Sequence, residues 1–273
     1  MRIYRNVMLF SFVIFACPVF GQAKGSYTLR YKFQTGRKSV YQTIMNVQAG
    51  LPGQTSGAGG YAMNVNGNTT FTVLKTLPDG SGRLAVIAPN FILGNSGKAS
   101  SKNARTAHYD MTPLGQLRNV KLPNTPEKGS TMAGLMNTDA LATNSVMLPS
   151  RSVKPGDVWS RTRANPIKGS KPLLIKTRFV QLQKVGNVLT ALLRSFYTIP
   201  ISSSASQQGM GSMKLNGKVL IIHQVNLALK EGEMLKTGIS GGGPITMTQS
   251  GRQGGAPMKI QLQLTVSASM VKK

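Results

Sequence analysis

The side chains that most often do chemistry in proteins are scarce in this sequence. It contains seven aspartates and glutamates, two histidines and one cysteine, against 33 lysines and arginines. Zinc sites need several His, Cys or carboxylate ligands, and calcium sites need closely spaced oxygen donors. Only Glu231 and Glu233 are close together, and they flank a predicted turn, where we expect solvated charges. The sequence therefore predicts no metal site and no cofactor.

The two histidines offer little for catalysis. His223 lies on the apolar side of an alternating segment, which predicts a buried core histidine. His108 precedes Tyr109-Asp110, and we expect it to be exposed at a strand edge. Glycoside hydrolysis needs two facing carboxylates, and no spacing singles out a pair. A Ser-His-Asp triad could use either histidine, but we expect no Gly-x-Ser-x-Gly nucleophile elbow. We therefore predict that the protein is not an enzyme.

Positive charge is the chemistry that the sequence does offer, with a net charge of +26. A field of this sign attracts anions and raises their encounter rate. The alternative is that the basic residues are ordinary solvated side chains with small counterions. The candidate anion-contact residues form the densest basic stretch of the sequence: Arg151, Lys154, Arg161, Arg163, Lys168, Lys171, Lys176 and Arg178.

Several classes of anionic partner fit this charge unequally. Proteins that bind single-stranded nucleic acid combine basic grooves with aromatic stacking platforms. Aromatic residues make up only 6% of this sequence, so nucleic acid is disfavoured. A curved sheet with an apolar face and basic rims suits an amphiphile better. We expect an anionic lipid, lipopolysaccharide or a wall polymer as the partner, and association with a membrane stays open.

The first 23 residues have the pattern of a secretory signal peptide. Arg2 and Arg5 precede a mostly apolar run over residues 7–16, and small residues follow Pro18. The alternative is a lipoprotein signal ending at Cys17, although Phe15 and Pro18 depart from that pattern. The sequence therefore predicts an exported protein of the periplasm or cell surface, either soluble or lipidated at Cys17.

The segments that must position these residues alternate between apolar and polar side chains. Residues 258–270 alternate at thirteen successive positions, and residues 27–33 and 219–229 repeat the pattern. Such alternation predicts strands with one buried and one solvated face. We expect an all-β fold, in which an antiparallel meander forms a strongly curved sheet, half-barrel or barrel.

Turn residues divide the predicted strands. Two-residue or short turns are predicted at four places: Pro78-Asp79-Gly80, Gly186-Asn187, Asn216-Gly217 and Glu231-Gly232. Loops rich in Gly and Ser are predicted at 49–60, 202–212, 240–243 and 251–256. The only predicted helix covers residues 132–146.

The chain beyond residue 23 is predicted to be one domain, residues 24–273. A faint internal repeat suggests two similar halves, residues 25–120 and 174–273, bridged by residues 121–173. The strand lengths leave an outer-membrane β-barrel open as an alternative, although aromatic girdle residues are few. A purely structural envelope protein is a further alternative.

One short motif is specific enough to suggest a relationship. Leu148-Pro149 and Val153 precede Gly156-Asp157-Val158-Trp159, and the turn at 154–157 has the residues of a type II turn. We expect Trp159 to begin the next strand and to anchor it in the core. This arrangement resembles uncharacterised families of exported bacterial all-β envelope proteins. The resemblance implies an envelope location and an all-β fold, and it transfers no site residues.

Overall fold

The computed structural model describes residues 25–51, 61–88, 91–93, 105–121, 145–163, 171–207, 211–249 and 257–273. The predicted signal segment and Cys17 lie outside these residues, as does the predicted helix apart from residues 145–146, which are not helical. The strands are β1 (Lys38–Gly50), β2 (Tyr61–Thr76), β3 (Gly82–Ala88), β4 (Phe91–Leu93), β5 (Arg105–Met111), β6 (Leu117–Lys121), β7 (Val158–Arg163), β8 (Leu173–Val185), β9 (Val188–Gln207), β10 (Gly211–Ala228), β11 (Met234–Gln249) and β12 (Met258–Lys272).

All of these strands belong to one antiparallel sheet, which confirms the all-β prediction. Its order is β6-β5-β3-β2-β1-β12-β11-β10-β9-β8-β7, with β4 paired to β2. The first strand lies against the last, with Tyr41 opposite Lys272. Over the described chain, β6 and β7 are not paired with one another, so the sheet is not closed.

The sheet curls strongly, as hydrogen bonds between its two ends show. Arg163 of β7 donates to Ser145 O at 2.9 Å, and Ser145 Oγ donates at 3.3 Å to Gly115 O, in the turn between β5 and β6. Nine strand spacings separate β5 from β7, which is about 43 Å across a flat sheet. Segments that far apart are joined in this way only if the sheet bends. Its concave side is the inner face, and its convex side is the outer face.

In the long strands, the alternation in the sequence correctly predicts which side chains are buried and which are exposed. In β12, Leu264 and Met270 are buried, whereas Lys259 and Gln261 are exposed. In β10, the odd-numbered residues from Val219 to Leu227 are all buried. Because side chains alternate along a strand, each long strand contributes one apolar row to the inner face.

The segment of residues 25–37 differs from its prediction. Its alternation is real, since Leu29 and Tyr31 are buried, but it forms no strand of the sheet. It crosses one end of the curved sheet and bonds to turns instead. The amide of Tyr31 donates to Pro113 O at 2.8 Å, and the amide of Lys32 donates to Gly232 O at 3.1 Å. We call this end the base.

Three of the four predicted turns are confirmed, with Gly80, Gly186 and Gly232 at positive φ. The turn at Asn216-Gly217 is wrong, because both residues lie inside β10. The loop at 240–243 is also wrong, because it lies inside β11. A Cβ atom at Gly217 would collide with the carbonyl oxygen of Pro244, so this glycine allows two strands to approach closely.

Two other predicted loops are partly strand. Residues 49–50 belong to β1, and residues 202–207 and 211–212 belong to β9 and β10. The remaining loop predictions, residues 52–60, 208–210 and 251–256, lie outside the described residues.

The turn before β7 is confirmed. The amide of Asp157 donates to Lys154 O at 3.0 Å, and Gly156 has a φ of 98°. The Asp157 carboxylate accepts from the Lys154 amide at 3.1 Å. Trp159 follows in β7, is 8% exposed, and donates from Nε1 to Met147 O at 2.8 Å. Its predicted role as a core anchor is therefore confirmed.

Candidate functional site

The inner face of the sheet contains a polar layer between two apolar clusters. One cluster lies at the base and includes Phe179 and Leu193. The other includes Ile221 and Leu264. The layer between them consists of buried hydroxyl and imidazole side chains: Thr43, Thr69, Thr177, Ser195, His223 and Thr237.

The members of this polar layer satisfy one another. Thr43 and Thr69 are joined by a hydroxyl–hydroxyl hydrogen bond of 2.7 Å. Thr177 and Ser195 are joined in the same way at 2.8 Å. Buried polar groups that already have partners need no ligand to remain buried. The layer is therefore a polar part of the core.

His223 is a buried core histidine, as predicted. Its Nε2 lies 2.8 Å from Thr237 Oγ1. Burial, assisted by the charge of Arg163, lowers its pKa to about 3. The ring is therefore neutral at neutral pH. His108 is exposed, as predicted, but the expected strand edge is wrong because β5 lies between β3 and β6.

Arg161 and Arg163 lie on the inner face of β7, opposite Ile175 and Leu173 of β8. Arg163 donates from Nη2 to Ser145 O at 2.9 Å. Burial lowers its pKa, and nearby tyrosine hydroxyls oppose that effect. These two predicted anion-contact residues are therefore separated from the rest. Counting alternate positions from the anchor Trp159 could have shown this.

Glu233 is not the solvated charge that was expected, because it is buried at the base. Its carboxylate accepts from Lys272 Nζ at 2.6 Å and also from Arg37 and Ser39. The small cavity beside it, about 60 Å³, has room for only a few water molecules. Glu233 therefore links the start of β1 to the end of β12, and its surroundings do not resemble a substrate site.

A second buried acid, Asp110, is also fully engaged. Arg83 donates to both of its carboxylate oxygens, at 2.8 Å and 3.2 Å. Asn119 donates to the carboxylate as well, at 2.8 Å. These hydrogen bonds lower the pKa of Asp110 below its usual range, and the bond from Arg83 has the largest effect.

One motif that sequence reasoning missed is Gly238-Ile239-Ser240-Gly241-Gly242, which has the letters of a serine nucleophile elbow. That chemistry requires a sharp turn between a strand and a helix. Here the whole segment lies inside β11. Ser240 is exposed on the outer face opposite Ile222, while His223 faces inward. The motif therefore has no catalytic geometry.

The outer face of β8, β9 and β10 gathers positive charge from three strands. Its cations are Lys176 and Arg178 of β8, Arg194 of β9 and Lys218 of β10. Apolar side chains lie among them: Leu174, Phe196, Leu220 and Ile222. We call these eight residues the cationic face.

The centre of the cationic face is a pair of like charges. Arg178 lies directly opposite Arg194 in the antiparallel register. On the other side of Arg194, Gln224 of β10 is its cross-strand neighbour. With the amide oxygen of Gln224 turned toward Arg194, it accepts from Nε and Nη2 of the guanidinium group at 3.2 Å. Like charges directly opposite each other in a sheet reduce stability. The fold therefore tolerates a cost at this position.

The described acids do not neutralise this face. Glu233 and Asp110 are engaged as above, Asp79 lies 3.5 Å from Arg118, and Asp157 lies 3.5 Å from Arg151. Within the part of the chain that the structure describes, no carboxylate forms an ion pair with any of the four cations.

The predicted anion-contact residues are thus divided. Lys176 and Arg178 lie on the cationic face, and exposed Arg151 and Lys154 lie in the segment before β7. The others are Lys171, which is exposed just before β8, Lys168, which lies outside the described residues, and the two inward arginines. The prediction missed Arg194 and Lys218, because strand pairing brings them in from distant sequence. The register between predicted strands is the only signal that could have found them.

The outer face of β2, β1 and β12 has a different chemistry. It presents neutral amides, which we call the amide face: Gln42, Asn46, Gln48, Asn64, Asn66, Asn68, Gln261 and Gln263. Gln42 Nε2 donates to Asn66 Oδ1 at 2.8 Å across the β1–β2 pair.

Comparison with known proteins gives no match to any family model or to any curated protein. In the described residues, no three His, Cys, Asp or Glu side chains are grouped closely enough to hold a metal ion. The same residues contain no helix with the length and apolarity needed to cross a membrane.

Proposed function

We propose that this chain is an exported, non-enzymatic protein of the bacterial cell envelope that binds a polyanionic partner through the cationic face. The observation that supports this proposal is the opposed pair of exposed Arg178 and half-buried Arg194, on a face where neither has a described carboxylate partner. An anion placed between the two guanidinium groups relieves their repulsion and accepts hydrogen bonds from both. A partner with many anionic groups engages Lys176 and Lys218 as well.

The test compares two variants with the same change in net charge. Arg178→Gln with Arg194→Gln alters the cationic face, whereas Lys236→Gln with Lys259→Gln alters exposed positions on β11 and β12. Binding to dextran sulfate and to phosphatidylglycerol vesicles is measured at low and high salt. We expect the first variant to lose about tenfold in affinity or more, because each basic residue contributes about 1 kcal/mol at an anionic surface. Equal losses in the two variants would mean that only net charge matters.

The export part of the proposal rests on the sequence pattern of residues 1–23. Cell fractionation with and without globomycin, which blocks lipoprotein processing, tests it directly. Accumulation of an unprocessed form in globomycin identifies a lipoprotein at Cys17, and unchanged processing identifies soluble export. An unprocessed cytoplasmic protein would contradict the proposal.

A further inference from the structure

The cationic face contains as many apolar side chains as cations, although a soluble polyanion requires only the cations. Leu174 is 66% exposed, Leu220 is 51% exposed and Phe196 is 38% exposed. Single exposed apolar residues are common on protein surfaces, but clusters rimmed by polar groups often mark interaction sites. The composition of this face therefore contains information about the kind of partner.

Strand register places the apolar and basic side chains in neighbouring rows. Phe196 lies between Lys176 of β8 and Ile222 of β10 in one row. The next set of cross-strand neighbours toward the base contains the arginines, with Arg178 opposite Arg194. Alternate residues along a strand are about 6.7 Å apart, so the two rows are separated by roughly that distance.

This spacing suits the surface of a bilayer. Leucine and phenylalanine side chains gain free energy when they enter the acyl boundary, and arginines one row away reach the phosphate groups. Lysine has a long apolar stem, so Lys176 and Lys218 can lie along the boundary with their ammonium groups in the head-group layer.

We infer that the partner is a membrane surface rich in anionic phospholipid, with the cationic face lying flat on the head groups and Leu174, Phe196 and Leu220 inserted into the acyl boundary. This inference rests on the proposed function and specifies its partner.

The experiment separates insertion from charge attraction. The insertion variant is Leu174→Ser with Phe196→Ser and Leu220→Ser. Its control is Ile44→Ser with Leu74→Ser and Val271→Ser, three apolar residues with 42–46% exposure on other strands. Both variants, with identical N-termini, are titrated with vesicles containing phosphatidylglycerol and with dextran sulfate. A denaturation curve for each confirms that it is folded.

We expect the insertion variant to bind the vesicles about tenfold more weakly or worse and to bind dextran sulfate as the unmodified chain does. The control variant retains both affinities. Unchanged vesicle binding by the insertion variant would overturn the lipid inference and leave the polyanion proposal standing. Failure of the unmodified chain to bind either probe would overturn the proposed function itself.

A direct measurement of insertion uses Phe196→Trp with vesicles whose acyl chains are brominated. Bromine quenches indole emission at short range, so we expect strong quenching at this position. The control Ile44→Trp is expected to show the weak quenching of the unmodified chain, whose single tryptophan, Trp159, is buried in the base cluster. Equal quenching at both positions would contradict insertion through the cationic face.

Discussion

Strands β8, β9 and β10 have two faces that treat polar groups in opposite ways. On the inner face, Thr177 and Ser195 share a hydrogen bond, and His223 is kept neutral. On the outer face, Arg178 and Arg194 oppose each other without a described carboxylate. The same backbone therefore supports one surface optimised for stability and another that sacrifices some stability. Such a sacrifice is typical of sites that bind a partner.

Two phenylalanines provide the largest test of this comparison. Phe179 faces inward with no exposed surface, whereas Phe196 faces outward. We expect Phe179→Ala to reduce the free energy of unfolding by about 3–5 kcal/mol, since it leaves a cavity in the core. Phe196→Ala should cost about 1 kcal/mol or less. Chemical denaturation of both variants measures the difference, and similar costs would refute the distinction between the two faces.

The second test is the dependence of stability on pH, which the buried His223 on the inner face is expected to cause. The pKa of His223 is about 3 in the folded chain, against 6.5 for an ordinary histidine. The unfolded chain therefore takes up this proton first, and stability falls as pH decreases from 6.5 toward 3. The slope reaches about 1.4 kcal/mol per pH unit.

Denaturation at pH 7, 6 and 5 measures this slope. This pH range avoids the contribution of Asp110 to the pH dependence of stability, because its lowered pKa places that contribution at more acidic pH. His223→Gln should flatten the profile, because glutamine does not titrate. His108→Gln is the matched control at an exposed position, and equal flattening in that variant would contradict the assignment of the slope to His223. A flat profile in the unmodified chain would show that His223 is not neutral by burial.

The smallest effect is expected from reversing one charge on the outer face. Arg178→Glu converts a repulsive pair into an attractive one, so the free energy of unfolding should rise by about 0.2–1 kcal/mol. The same variant should bind anionic vesicles more weakly. High salt should reduce the gain in stability, because it screens exposed charges. A loss of stability would mean that Arg178 has a structural role.

The sequence predicts the faces of this protein better than its sites. Alternation in residues 219–229 and 258–270 places the inner face correctly, because burial follows directly from a period of two. The glycine at position 186 marks a turn because a positive φ favours that residue. These signals are local, and one sequence is enough to read them.

The remaining features depend on pairing between distant residues. Gly217 lies within a strand, where its missing side chain leaves room for the backbone of β11, and this contact cannot be read from the local sequence. Arg194 joins Arg178 only through the register of β8 and β9. The basic stretch at 151–178 therefore located part of the cationic face and also included two arginines that face inward.

The pairing of β1 with β12 has a consequence for the order of folding. Tyr41 and Lys272 are adjacent in the sheet but separated by most of the described chain, and Glu233 ties both ends together. Closing so long a loop is slow, and such non-local contacts delay folding. Until β12 arrives, β1 and β11 are open edges that can pair with other chains. The growing polypeptide therefore stays dependent on protection from aggregation until β12 has been synthesised.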